Sequence, residues 1–284
     1  MTAPLYDQAD FSRQSNRRNK GINAEGKAME LRYNAVIFDM DGTVLDTGGD
    51  LTDSLNWALA QTGHKSCYTK AMVTTFFGSG VAVAVTRALA CEMGVGPDRL
   101  LEIGLEGDTI TPKVKEHFGE EEIDRLYQVF KSYYPSHCAI KTGPYPGIPD
   151  LIRDLKDAGV KTAVVSNKLD EAVGKLAADY FKGLFDVAIG EKPSVRRKPA
   201  PDMTDKALKE LGVDRSHAVY VGDSEIDLLT ARNAGTDCIS VDWGFRPRKF
   251  LEKKAREFMQ TGGGLTIRLV HEPAEIAELV GLAR

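Results

Sequence analysis

The sequence is poor in the features that would tie it to a membrane, to nucleic acid or to an oxidising compartment. No apolar run reaches the roughly 20 residues that a membrane-spanning helix needs. The opening stretch MTAPLYDQADFSRQSNRRNKGINAEGK has no apolar segment of the kind a signal peptide carries. Its Arg17-Arg18 pair likewise lacks the hydrophobic run of an export signal. An excess of positive charge is also missing: 41 acidic residues face 37 Lys and Arg, for a formal net charge of -4. That balance argues against nucleic acid or an acidic membrane surface as a partner, so any bound anion must be held by local cations. The four cysteines, Cys67, Cys91, Cys138 and Cys238, form no CxxC pair. They read as buried reduced thiols rather than a disulfide or zinc site, as expected of a cytoplasmic protein. Internal repeats and low-complexity tracts are absent too.

What is present is a chain of 284 residues with ordinary globular composition, 42% hydrophobic and 27% charged. Residues 1–30 are polar and without periodicity, and read as a mobile leader. From Asn34 onward, short apolar runs alternate with amphipathic segments. The runs are AVIFD (35–39), KTAVVSN (161–167), FDVAIG (185–190), AVYVGD (218–223), DCISVD (237–242) and TIRLV (266–270). β-Branched apolar runs between helices predict a parallel sheet covered on both faces. IPDLIRDLKDAG (148–159), PDMTDKALKELG (201–212) and EIDLLTARNAG (225–235) predict helices closed by glycine.

The interval from about Gly48 to Gly143 has no strand-like run and is far longer than one crossover requires. It carries helical patterns over 50–63, 82–94 and 121–134. The expected fold is therefore α/β, a doubly wound Rossmann-like parallel sheet with an inserted all-helical cap. Residues 31–47 and 144–284 would form the core and 48–143 the cap. TGPYPG (142–147), with two prolines and two glycines, predicts a hinge at the return crossing. Ligands of such sheets bind beyond the carboxyl ends of the strands, so the insert would lie over the site as a lid.

Four successive strand ends carry residues that suit one chemistry: Asp39, Asp41 and Thr43; Ser166 and Asn167; Lys198; Asp223 and Asp227. Each alone has a bland reading, since aspartate, serine and asparagine commonly start turns or cap helices. Gathered at one sheet edge, several carboxylates need a cation, because like charges disfavour one another's ionisation. All the candidate ligands are oxygens, which selects a hard ion such as magnesium. Lys198, the hydroxyls of Thr43 and Ser166, and backbone amides of MDGT would hold an anion beside it, and phosphate suits that mixture. Gly42 would let the backbone approach the anion, and Gly222 would ease the turn after the fourth strand.

DMDGT, a strand ending in VVSN, KPAPD and GDSEID, in that order, resemble the four motifs of the haloacid dehalogenase superfamily of phosphotransferases. The resemblance runs from residue 34 to about 250, and the long helical insert is similar to that of helical-cap members. YYPSHCAIKTGPYPGI (133–148), VVSNKLDEAV (164–173), VYVGDSEIDLLTARNAG (219–235) and SVDWGFRP (240–247) resemble phosphoglycolate-phosphatase-like members in particular.

By that resemblance Asp39 is the nucleophile and forms an aspartyl-phosphate. Asp41 is the general acid for the leaving alcohol and then the base for water. Mg2+ would be bound by the carboxylates of Asp39 and Asp223 and the backbone carbonyl of Asp41, with Asp227 in support. Ser166 and Lys198 would hold the phosphoryl oxygens, with Thr43 and Asn167 shaping the phosphate-binding loops. Asp41 favours phosphate esters, because relatives cleaving carbon–halogen or carbon–phosphorus bonds lack an aspartate there. Lys192 also precedes a proline and competes with Lys198 for the lysine role, but KPAPD leads straight into a helix.

In the cap, Arg87 and the GSG loop with Ser79 and Gly80 are candidate substrate contacts, although an exposed helix arginine is the commoner reading of Arg87. His137 reads as a packing or hinge residue and Trp57 as cap core. The implied activity is hydrolysis of a small phosphorylated metabolite, 2-phosphoglycolate first. A sugar-phosphate phosphatase or mutase, and a non-catalytic binding protein on the same fold, are the alternatives. Monomer and homodimer are equally open.

Overall fold

The structure, a computed structural model, describes residues 20–22, 28–260 and 265–282. A six-stranded, all-parallel sheet runs through it. Its strands are β3 (Ala35–Phe38), β6 (Lys161–Leu169), β7 (Val187–Glu191), β8 (Ala218–Gly222), β9 (Asp237–Val241) and β10 (Ile267–Val270), in the order β10-β9-β8-β3-β6-β7. The chain starts at the centre, builds outward through β6 and β7, then returns to build the other half. That reversal puts β3 between β6 and β8 and opens a crevice at their carboxyl ends, the place where open α/β sheets bind ligands.

Alternation along the strands supplies both faces. Val36, Phe38, Val164, Val219 and Val221 point into one apolar core, and Ala35, Ile37, Ala163, Val165 and Tyr220 into the other. Helices α7 (Ile148–Asp157), α8 (Asp170–Phe181), α9 (Asp202–Leu211), α10 (Glu225–Ala234), α11 (Arg248–Gln260) and α12 (Pro273–Val280) join or follow these strands. In α7 the buried set is Ile148, Leu151, Ile152 and Leu155, the spacing of one helix face.

Between β4 (Leu45–Asp46) and β5 (Gly143–Pro144) lie six helices: α1 (Gly48–Thr62), α2 (Lys70–Phe76), α3 (Val81–Glu92), α4 (Pro97–Leu100), α5 (Thr111–Phe118) and α6 (Glu120–His137). β4 and β5 pair antiparallel, Leu45 opposite Pro144 and Asp46 opposite Gly143, so the outgoing and returning chains are zipped together. The buried Asp50 carboxylate reinforces this by accepting the backbone N–H groups of Ile140, Lys141 and Thr142 and the Thr142 hydroxyl. The larger core continues from the sheet into these helices through Leu51, Leu55, Phe76 and Phe130. Trp57 and His137 both stack on Tyr133, with ring centroids 3.9 and 3.6 Å apart, so each has a packing role.

The polar stretch 1–30 is described only in part. Most of it lies outside the described residues, but β1 (Lys20–Ile22) and β2 (Ala28–Glu30) pair antiparallel. Three-residue strands are too short to leave a periodic signal in sequence.

Candidate active site

Asp39 leaves the central strand buried, its backbone N–H bonded to the Val221 carbonyl of β8 at 2.8 Å. Asp223 follows β8, and Asp227 sits in the first turn of α10. Carboxylate oxygens of all three lie within 4.8 Å of one another, and all three residues are buried. Lys198 reaches in from the loop after β7. Its Nζ donates to Asp39 Oδ1 at 2.7 Å and to Asp227 Oδ1 at 2.8 Å. The rival Lys192 is half-exposed and paired with Asp170 at 2.9 Å, so it stands apart.

One lysine among three buried carboxylates leaves negative charge uncompensated. Burial, opposed by Lys198 but reinforced by Asp227 and Asp41, pushes the Asp39 carboxyl up to about 7. Burial and the neighbouring Asp227 and Asp39 charges push Asp223 up as well. Lys198 moves the other way: burial disfavours its charge, yet Asp227 and Asp39 outweigh that and hold it above an ordinary lysine. An all-oxygen, buried, electron-rich donor set of this kind fits a hard divalent cation.

The supporting residues divide labour differently from the sequence reading. Thr43 is fully buried and its hydroxyl donates to Asp223 Oδ1 at 3.1 Å, so it orients a carboxylate rather than facing open space. Asn167 is occupied by the lysine loop: its Oδ1 accepts the Lys198 backbone N–H at 2.8 Å, and its Nδ2 donates to the Lys198 carbonyl at 3.1 Å. It therefore fixes where Lys198 points, while still lining the cleft beside Ser166. Gly42 has φ +84°, and a Cβ there would come within 2.4 Å of Asp223 Oδ2. Gly222 needs no special turn; the space is taken by Asp227, 2.3 Å from where its Cβ would be.

Asp41 faces a different cation, which sequence reasoning missed. The buried Lys168 Nζ lies 2.9 Å from its Oδ1 and 3.0 Å from its Oδ2, and also donates to Tyr134 Oη of α6 at 2.6 Å. Burial works against the Lys168 charge, but Asp41 and Tyr134 outweigh it and keep the ammonium charged. Lys168 directly follows the Ser166-Asn167 pair, which is the one signal that pointed to it.

Arg87 is neither exposed nor directed into the cleft. Its guanidinium is wholly buried and donates to the carbonyls of Phe76 and Ile103, both at 3.0 Å, and to Ser79 Oγ at 3.2 Å. Arg246 lies beside it, bonded to Glu225 Oε2 at 2.7 Å and to the carbonyls of Thr74 and Phe77 at 3.1 and 2.8 Å. Together they bind the loop after α2 to the start of α10. Ser79 is spent in this network; Gly80 lines the cleft beneath Arg197.

The cleft is a cavity of about 40 Å³ between the strand ends and the helical segment. Asp39, Asp41, Ser166 and Lys168 form its floor side, and Leu51, Phe77, Phe130 and Tyr134 reach it from the helices. An adjoining opening of about 320 Å³ shares Val81, Tyr127 and Glu191 with it and adds Lys115 and Arg197.

Residues 36–241 match the haloacid dehalogenase-like hydrolase family. The chain is 31% identical over 237 residues to a phosphoglycolate phosphatase of Mesorhizobium japonicum, covering 82% of this chain and 93% of that one. It is 28% identical over 226 residues to the N-acetylmuramic acid 6-phosphate phosphatase of Pseudomonas aeruginosa, covering 76% and 84%. A crystal structure of a candidate phosphoglycolate phosphatase from Lactobacillus delbrueckii subsp. bulgaricus superposes with a TM-score of 0.80 at 50% identity, covering 88% of this chain and 99% of that one. With its carboxylates gathered at the centre of the sheet and these relatives on both comparisons, this chain belongs to the haloacid dehalogenase-like hydrolase family, as a phosphoric monoester hydrolase.

Proposed function

We propose that the protein is a magnesium-dependent phosphatase of a small phosphorylated metabolite, 2-phosphoglycolate foremost, acting through a phosphoryl group carried on Asp39. The observation that carries this reading is the buried trio Asp39, Asp223 and Asp227, neutralised by Lys198 alone among the described residues in contact with it. Asp39, Asp223 and the Asp41 carbonyl would hold the ion, with Asp227 in support. When bound, the ion supplies charge neutralisation for the phosphoryl group.

Asp39 Oδ attacks phosphorus, and Ser166 and Lys198 orient the phosphoryl oxygens. Asp41 hands a proton to the departing ester oxygen and takes one from the water that later cleaves the acyl phosphate. Residues 48–143 act as the lid that keeps bulk water from this exchange, and 31–47 with 144–284 as the core that carries it out. We place the activity in the cytoplasm, on the four cysteines being free.

The 40 Å³ cavity supports a leaving group of few atoms. A sugar phosphate is the second reading, supported by the adjoining 320 Å³ opening. A phosphate-release assay with magnesium across 2-phosphoglycolate, hexose phosphates, nucleotides and pyrophosphate tests the choice. Faster turnover of a hexose phosphate than of 2-phosphoglycolate would overturn the first reading.

A further inference from the structure

Lys198 accounts for the phosphoryl side of the cleft, but Lys168 is a second buried ammonium that the scheme above leaves without a task. Its side chain is only 4% exposed, and it faces Asp41, not Asp39. The walls around it are apolar: Leu51, Phe77 and Phe130, with the Tyr134 ring 4.6 Å from Nζ. Lys131 also lines the cavity but is exposed, and Glu191 lies where the two openings join. Burying an ammonium in such surroundings is costly unless it is compensated. Nζ has three donors. Asp41 Oδ2 and Tyr134 Oη take two, and Asp41 Oδ1 lies 2.9 Å away as a charge contact without a hydrogen bond, so one donor has no hydrogen-bond partner among the described residues.

Resting on the phosphatase reading, we propose that Lys168 is the specificity-determining residue for the leaving group, holding an anionic group that lies two carbon atoms from the ester oxygen. Asp41 faces that ester oxygen in the scheme, and Nζ lies 2.9–3.0 Å from the Asp41 oxygens. With a carboxylate two carbons from an ester oxygen, each carboxylate oxygen sits roughly 2.7 to 3.6 Å from the ester oxygen by covalent geometry. The two spacings match, so an α-phosphoryloxy carboxylate places its carboxylate against Nζ while its ester oxygen meets Asp41. A neutral group in the same place leaves the remaining charge of the buried ammonium without its counterpart, which is how a buried polar site rejects the wrong substrate. Tyr134 comes from α6, so this subsite is complete only with the helical segment seated on the sheet.

The test compares 2-phosphoglycolate with its amide, which has the same size and a neutral leaving group. For the full-length wild-type enzyme with magnesium, kcat/KM should favour the carboxylate by on the order of 100-fold, the scale of a lost charge-assisted hydrogen bond. Lys168→Met should bring that ratio near one, and Lys168→Arg should keep part of it. Tyr134→Phe should reduce it by about threefold. Equal loss toward both substrates in Lys168→Met would show that Lys168 acts only by positioning Asp41 and would overturn the proposal. Equal turnover of both by the wild type would overturn it without any variant, even if Lys168→Met failed to fold, and would leave the phosphatase reading standing. No turnover of any phosphate ester by the wild type would instead sink the phosphatase reading, and this inference with it.

Discussion

Two buried charge clusters sit side by side at the start of α10, and they are built to opposite ends. Asp39, Asp223 and Asp227 outnumber Lys198 three to one, and burial with mutual repulsion drives Asp39 and Asp223 toward their protonated forms. Two residues from Asp227, Glu225 is outnumbered by Arg246 and Arg87. Burial disfavours its charge, yet Arg246 and Arg87 hold its carboxyl below the usual range. The spare arginine donors go to backbone carbonyls of Thr74, Phe76, Phe77 and Ile103, so this cluster is largely closed on itself. The aspartate cluster has no such outlet. Of the two clusters, the one left with unbalanced negative charge is the one proposed to receive a cation and a phosphoryl group.

The sharpest way to break the contrast is Asp39→Asn. Hydrolysis with magnesium should fall by about 10³-fold or more, through loss of the nucleophile, in a steady-state phosphate-release assay. Undiminished turnover would refute the covalent scheme. The same change relieves repulsion, so melting of the metal-free protein should rise by roughly 2 °C or more.

Glu225→Gln should act in the reverse sense. It leaves two buried guanidiniums facing each other and should cost about 3–5 kcal/mol of stability by denaturant unfolding, with or without magnesium. A loss under 1 kcal/mol would mean that the arginines do not depend on it.

The third expectation concerns pH. Asp39 binds its proton more tightly folded than unfolded, so its contribution to stability is full below the ordinary carboxylate range. It is lost as pH rises toward about 7. The metal-free protein should therefore lose stability over that window, and the gain in melting temperature on adding magnesium should be larger at pH 8 than at pH 5. An equal gain at both would contradict the surplus of charge. Smallest of all, Lys192→Ala removes only an exposed ion pair with Asp170 and should change kcat/KM less than about twofold.

Much of the cleft was legible because it is made of strand ends. Asp39, Asp223, Ser166 and Asn167 stand where apolar β-branched runs stop, and a parallel sheet brings such ends to one edge whatever lies between them. Lys168 was harder to read because it lies past the end of the apolar run, and it reaches the cleft because β6 continues to Leu169. Arg87 misled for a related reason. Helix position alone gives an arginine an exposed face, and only the end of α2 with Phe77, together with Ile103, wraps it in carbonyls.

The residues by themselves determined the α/β alternation, the long helical interruption and the gathering of carboxylates, since each follows from local periodicity and from the single edge a parallel sheet offers. Tertiary structure alone decided which cation serves which carboxylate, that Thr43 orients a carboxylate and Asn167 the Lys198 loop, and that Tyr134 meets Lys168. Those outcomes depend on ångström-scale approach between segments up to 180 residues apart, as between Thr43 and Asp223, and no local pattern encodes that distance.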